Sequence, residues 1–277
     1  MFRYCLNTST ISGQKLSLVQ QVDVAAKVGY DAIEPWIRDI DAYVKGGGTL
    51  ADMKKRLGDA GLTVENAIGF AAWIVDNDDA RKKGLEQMKR DMDVVSQIGG
   101  KRVAAPPVGA TDQPNLSLLK AAERYRALAD LGQTMGVTPQ IEIWGSSKLL
   151  SRLGEAAFVA VESGARQACV LADVYHMYKG GTPFDGLKLL SASALQMLHM
   201  NDYPADPPRA TIQDSHRVYP GDGVAPLTTI LQDLAAVSPL CVLSLELFNR
   251  EYWKLEALTA AKTGLEKMKA AVAKAVG

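Results

Sequence analysis

The chain has 277 residues, with 31 basic side chains against 31 acidic ones and 47% apolar residues. That length admits a single large domain, because α/β barrels run to about 250 residues. The balanced charge gives no overall field to attract nucleic acid or an anionic membrane, and no apolar stretch nears the roughly 20 residues of a membrane span, so neither partner is expected.

Short apolar runs alternate with longer amphipathic segments from end to end. The first predicted strand, Arg3–Leu6, leads into Asn7–Thr8–Ser9–Thr10. This turn lacks the glycine-rich phosphate pattern that a doubly wound sheet carries after its first strand. Val19, Val22, Ala25 and Ala26 then recur at helical spacing up to Gly29. Strands are predicted at Ala32–Glu34 and Thr63–Ala67, with Gly46–Gly47–Gly48 between them as a flexible loop. Leu85, Met88, Met92, Val95 and Ile98 trace a helix before the strand Arg102–Ala105. Leu118–Met135 traces another before Pro139–Ile143. The remaining strands are predicted at Ala168–Asp173, Ala194–Met200 and Cys241–Leu245, and a last helix spans Leu255–Val276. Gly29, Gly61, Gly99, Gly136 and Gly164 each follow an amphipathic run and shortly precede a strand, where glycine closes a helix in the left-handed conformation.

Eight strands alternating with helices imply parallel pairing. Without a phosphate turn or a domain break, the reading is α/β: a single (β/α)₈ TIM barrel forming one domain over 1–277. Cys5, Cys169 and Cys241 lie far apart in strand-like runs and read as buried free thiols. With no signal-peptide pattern at Met1–Leu6, a cytoplasmic location is expected.

Functional groups of such barrels gather where strands end. Glu142, Asp173, His199 and Glu246 end four successive predicted strands. A carboxylate inside Ile141–Glu142–Ile143 or Leu245–Glu246–Leu247 is costly without a partner. Taken singly, each has an ordinary reading: Glu142 in an ion pair, His199 as a hydrogen-bonded core histidine, Asp173 as a helix cap. Together they point to one divalent metal ion. Three carboxylates and one imidazole, without sulfur, suit Mn²⁺ first, with Mg²⁺, Co²⁺ and Zn²⁺ compatible. No organic cofactor is implied.

His176 is expected on the substrate side of this site. Glu34 either faces the mouth and touches substrate or forms a structural ion pair. Trp36 and Trp144 follow strand ends and either line a sugar face or pack beneath a loop. The segment from Tyr203 to Gly223 is long for a barrel loop and carries Arg217 just before Tyr219–Pro220–Gly221–Asp222–Gly223. Arg217 there either grips a substrate oxygen or is solvated. Asp202 orients either His199 or the loop.

At these residues the chain resembles the xylose isomerase-like barrel superfamily of sugar phosphate isomerases, tagatose- and psicose-type epimerases, inosose isomerases and endonuclease IV. The likeness is carried by Gly29–Glu34, Ile141–Glu142, Asp173–Val174–Tyr175–His176 with Gly180–Gly181, His199–Met200–Asn201–Asp202, Arg217 with Pro220–Gly223, and Glu246. Its motifs are nearest to the inosose isomerase type.

The resemblance implies that Glu142, Asp173, His199 and Glu246 are metal ligands and that Glu142 and Glu246 transfer protons. It implies that His176 and Arg217 contact substrate hydroxyls. The expected reaction is isomerisation or epimerisation of a ketose, keto-sugar or cyclitol such as an inosose through an enediolate. A dehydratase or lyase at the same metal site is one rival, and a non-catalytic sugar-binding barrel is another. The further glutamate of the epimerases is replaced by Ser146, Ser147 and Lys148, which leaves substrate preference open. Endonuclease IV needs many histidines for three metals, and this chain has 3. No phosphate turn follows the last two strands, so an unphosphorylated substrate is expected. The sequence is compatible with a homo-oligomer.

Overall fold

In the computed structural model, residues 2–113 and 116–277 are described; Met1, Pro114 and Asn115, part of the domain expected over 1–277, lie outside the described residues. The strands are β1 (Arg3–Asn7), β2 (Ala32–Glu34), β3 (Thr63–Val64), β4 (Arg102–Ala105), β5 (Thr138–Glu142), β6 (Cys169–Asp173), β7 (Met197–His199) and β8 (Val242–Leu245). All pairings are parallel, in the order β3-β2-β1-β8-β7-β6-β5-β4. Ala67 closes the curl between the two ends. Its N–H donates to the Arg102 carbonyl (3.2 Å), and its carbonyl accepts from the Ala104 N–H (2.9 Å). The result is a single (β/α)₈ TIM barrel.

The helices are α1 (Leu18–Val28), α2 (Ile37–Lys45), α3 (Leu50–Asp59), α4 (Asp78–Gln97), α5 (Leu118–Met135), α6 (Leu153–Glu162), α7 (Val174–Gly180), α8 (Leu227–Val237) and α9 (Ala257–Val276). Local chemistry sets their ends. Ser17 and Gln20 form a reciprocal capping box at the start of α1, and Gly29 closes that helix at φ 91°. Within α5, Gly132 allows the helix to approach the sheet, since a Cβ there would stand 2.5 Å from the Val137 carbonyl and 2.7 Å from Pro139.

Two expected strands are shorter than their apolar runs. Thr63–Ala67 pairs with β2 only over Thr63–Val64, because Ala67 turns to bond β4 instead. Ala194–Met200 begins at Met197, because the Ala194 and Leu195 N–H groups fold back to the Ser191 carbonyl. A large apolar cluster fills the layer between sheet and helices. A second cluster, including Cys5, Ala104, Leu171 and Met197, fills the barrel itself, so the barrel is packed rather than open. All three cysteines are free and buried. Among the described residues, no helix is long and apolar enough to cross a membrane.

One buried charge lies away from the strand ends. Asp91 on α4 is buried; its Oδ1 accepts from Arg90 (2.8 Å), while Oδ2 has no partner. Burial, with Asp41 nearby and against the pull of Arg90, raises its pKa to about 6. A carboxyl whose folded pKa lies above its unfolded value of about 3.9 contributes most stability below the unfolded value, and that contribution is lost as pH rises through about 6. Asp91→Asn is therefore expected to gain about 1–2 kcal/mol over the wild type at pH 7.5 and little at pH 4. Denaturant midpoints of both proteins at the two pH values check this. A pH-independent difference would remove the charge-burial account.

Candidate functional site

Strand ends deliver the polar cluster. β5, β6 and β7 finish on Glu142, Asp173 and His199, and Glu246 follows β8 by one residue. Asp173 and His199 are direct partners in the β6–β7 ladder, and His199 is the partner of Ser244 in the β7–β8 ladder. Glu34, Asp173 and His199 are fully buried, while Glu142 and Glu246 open slightly into a cavity of about 450 Å³ at the barrel mouth.

His199 is held from below. Its Nε2 lies 3.0 Å from Glu34 Oε1. Glu34 also accepts from Asn66 Nδ2 (2.7 Å), Asn7 Nδ2 (2.8 Å) and Ser244 Oγ (2.6 Å). The expectation that Glu34 touches substrate is thereby corrected. Its carboxylate is sealed beneath His199 and fully engaged with protein donors, so it orients the imidazole instead. Burial tends to raise the Glu34 carboxyl, but His199, Ser244 and Asn66 outweigh it and hold its pKa below the usual range.

This orientation aims His199 Nδ1 at two carboxylates. Nδ1 lies 3.1 Å from Glu246 Oε2 and 3.5 Å from Asp173 Oδ2, yet makes no hydrogen bond of proper geometry. Asp173, His199 and Glu246 each offer a ligand atom, all within 4.8 Å of one another. An unpartnered buried imidazole nitrogen converging with two hard oxygen donors fits a divalent cation. Glu142 is not in that trio but lines the same cavity, and its Oε1 accepts from the Trp144 indole (3.2 Å). Burial, and then Glu246, push the Glu142 carboxyl up to about 8. At His199, burial favours the neutral ring, but Glu246 and Glu34 outweigh it and raise its pKa well above the ordinary value.

Arg217 is buried within this cluster. Its Nη1 donates to Asp173 Oδ2 (3.0 Å) and Glu246 Oε2 (2.8 Å). Its Nη2 bonds Asp214 and meets His176 Nε2 at 3.0 Å. The guanidinium also lies over Tyr175 (4.5 Å) and Phe248 (5.0 Å). The solvated reading of Arg217 is excluded. Asp173 serves two ends at once: Oδ1 caps α7 through the His176 N–H (2.8 Å), and Oδ2 faces Arg217 and Asn201. Burial raises the Asp173 carboxyl, but Arg217, His176 and His199 hold it well below the usual carboxylate range.

Trp36, Trp144 and His176 all line the cavity. So do Phe70, Phe248 and Asp214, which the sequence reading did not single out. Phe70 follows the two-residue β3, whose end is masked by the apolar run, and Asp214 lies in a long polar loop.

A family model of the xylose isomerase-like TIM barrel matches residues 22–271. The chain belongs to that family. An inosose isomerase of Bacillus velezensis (strain DSM 23117 / BGSC 10A6 / LMG 26770 / FZB42) is 28% identical over 98% of each chain. A 3-dehydro-D-guloside 4-epimerase of Escherichia coli (strain K12) is 22% identical over 68% of this chain and 72% of that one. The solved structure of the IOLI protein with a bound zinc atom superposes with a TM-score of 0.92 at 22% identity, covering 100% of both chains.

This xylose isomerase-like barrel fixes Arg217 through the loop between β7 and α8. Asp202 and Val218 form an antiparallel bridge (N–H to carbonyl, 3.1 and 2.9 Å), next to Arg217. The Asp202 carboxylate accepts from the N–H groups of Tyr203 (2.8 Å), Ala225 (2.9 Å), Gly221 (3.0 Å) and Gly223 (3.1 Å). Asp202 thus orders the loop rather than His199. From α7, Lys179 donates to the carbonyls of Arg209, Ala210 and Ile212, each at 3.0 Å. An amide at position 202 has one acceptor oxygen, so at least one pair of these N–H groups is left unpaired. Asp202→Asn is expected to lose about 2 kcal/mol of stability and to be cleaved faster within 204–222. Thermal melting and limited proteolysis read this; wild-type values in both would discard the pinning role.

Proposed function

We propose that this chain is a divalent-metal-dependent isomerase or epimerase of a keto-sugar or cyclitol, the latter in the form of an inosose. It is an enzyme acting on a small molecule, in a chain that works as one domain over 1–277. The inosose isomerase aligned along 98% of the chain supports the reaction class. The observation that carries the mechanism is the convergence of the unpartnered His199 Nδ1 with Asp173 and Glu246.

In this reading Asp173, His199 and Glu246 hold the ion and Glu142 completes the set. Bound by these residues, a divalent ion would supply Lewis-acid stabilisation of negative charge on the substrate's carbonyl oxygen. The oxygen-rich donors favour Mn²⁺; zinc, the metal in the IOLI structure, is the alternative. Glu142 takes the proton from the carbon beside the carbonyl. Its raised proton affinity suits transfer near neutral pH, and an adjacent cation lowers it toward that range. Glu246 stands on the other side of the site, since β5 and β8 are separated by β6 and β7. Return of the proton to the former carbonyl carbon, with the hydroxyl proton passing from the neighbouring oxygen to the former carbonyl oxygen, gives an isomer. Return to the opposite face gives an epimer. The step is redox-neutral overall and requires no organic cofactor. His176 and Arg217 contact substrate hydroxyls, Trp36 and Trp144 line the ring face, and Glu34 positions His199.

Incubation with inososes, ketoses and keto-glycosides in D₂O with Mn²⁺ or Zn²⁺ tests this reading. Deuterium is expected beside the carbonyl of the substrate or its isomer. Loss of water would instead identify a dehydratase, and no exchange with any ketone would leave a binding barrel. Glu142→Gln is expected to lose 10²–10⁴-fold in kcat with its circular dichroism unchanged, the usual share of one proton-transfer group.

Metal and fold are linked by the same carboxylates. Chelation should lower the melting temperature together with activity, because an ion at a hundredfold excess over its Kd adds about 2.7 kcal/mol to the native state. Glu34→Gln should weaken metal affinity about 10–100-fold by releasing the imidazole. Competition against a chromophoric chelator measures this, and an unchanged affinity would contradict the positioning role.

A further inference from the structure

The cavity has two chemically different halves. Phe248, Trp36, Phe70 and Trp144 enter it from the loops after β8, β2, β3 and β5. Their successive ring centroids lie 6.2, 5.2 and 6.2 Å apart, with interplanar angles of 72°, 52° and 46°. They form a curved wall, not one flat stacking plate. Helix α7, which follows β6, and the loop after β7 supply the other half with His176, Asp214 and Arg217, while Glu142 and Glu246 also line the cavity.

The four aromatic side chains themselves offer no free polar handle; Ser146 and Arg250 line the cavity from the same β5 and β8 loops. The Trp36 indole N–H donates to Asn7 Oδ1 (3.2 Å) and that of Trp144 to Glu142 Oε1 (3.2 Å). Trp253, farther along the lining, donates to the Ser9 carbonyl (3.0 Å). The phenylalanines have no polar atom to offer. A bare polyhydroxylated ring carries hydroxyls around its whole edge. Any of them pressed on these four rings would lose water with no hydrogen bond from the rings in exchange.

Size points the same way. The cavity of about 450 Å³ is walled by aromatic side chains from four loops, against the single face of a six-membered polyol ring. One such ring can stack its C–H face on one aromatic side chain, but four rings from four loops span more than one sugar. Phe70, 41% exposed, presents an apolar surface that a lone sugar ring leaves uncovered.

We infer that the substrate carries an aryl group on its keto-sugar or cyclitol ring, seated against Phe70 while the ketone meets the polar half. The ketone half rests on the function proposed above; the aryl half rests on the wall alone. Phenyl and methyl β-D-glucopyranoside separate the two, because neither has a ketone and neither is turned over. Titration of each into the metal-loaded protein, read by calorimetry and tryptophan fluorescence, should show phenyl binding at least tenfold tighter than methyl. Phe70→Ala should reduce the phenyl-to-methyl preference severalfold, and Phe70→Tyr should retain it. Circular dichroism verifies that the variants are folded. Equal affinities, a preference insensitive to Phe70→Ala, or binding of neither glucoside would overturn the inference. If the phenyl preference holds while no ketone exchanges deuterium, the isomerase reading fails and the aryl subsite stands.

Discussion

Four carboxylates, Glu34, Glu142, Asp173 and Glu246, are buried at one end of the barrel, and among the described residues Arg217 and His199 are the chief groups that balance them. Charge in so dry a place is tolerated only when paired and hydrogen-bonded. Each member meets that constraint differently. Glu34 accepts from three side-chain donors besides His199. Asp173 faces a guanidinium and caps a helix. Glu142, with one indole donor, has its pKa pushed up to about 8 by burial and by Glu246. His199 keeps its proton more tightly because acids surround it. A divalent cation at His199 Nδ1 would answer the same deficit of positive charge.

Precision in this arrangement comes from the sheet. Asp173 and His199 are register partners on adjacent parallel strands, so their spacing is a property of the ladder and not of loop geometry. Many of the groups facing the cavity are instead on loops: Arg217 and Asp214 after β7, the aromatic wall after β8, β2, β3 and β5. Loops vary where strands do not. Here the β7 loop is itself tied down, by the Asp202 carboxylate, the bridge to Val218 and the Lys179 ammonium.

What was legible in the sequence follows this division. A polar residue closing an apolar strand run is visible in one dimension, which is why Glu142, Asp173, His199 and Glu246 emerge from pattern alone. Glu34 has the same appearance, but its place one layer below His199 depends on register: it pairs with Asn7 in the ladder, and both point into the barrel beneath the mouth. No local pattern encodes that depth. Phe70 and Phe248 are invisible for another reason. They become one wall only when loops 178 residues apart in sequence meet across a closed barrel, as their separate contacts with Trp36 show. Asp202 was ambiguous because its four N–H partners lie up to 23 residues downstream, inside a loop without periodicity.

The hydrogen bonds that remain unsatisfied divide the site further. Around Glu34 and His199 Nε2 every carboxylate oxygen and ring hydrogen has a partner. Around His176 the reverse holds. The Gly145 N–H points at Nδ1 (3.2 Å) and Arg217 Nη2 at Nε2 (3.0 Å), so both ring nitrogens face donors, yet a neutral imidazole carries one hydrogen of its own. Burial lowers the His176 pKa, so protonation does not relieve the conflict, and two ring hydrogens would face two donors. Arg217 Nε, close by, has no partner at all. Buried polar groups in a folded protein are nearly always paired, and exceptions mark places that something else completes. The layer that holds the Glu34 carboxylate and His199 Nε2 is the one that must be rigid before any ligand arrives, to present Nδ1 and two carboxylates at fixed spacing. The under-bonded layer, His176 with Arg217, lines the polar half of the cavity, where hydroxyls able both to donate and to accept would supply the missing bonds.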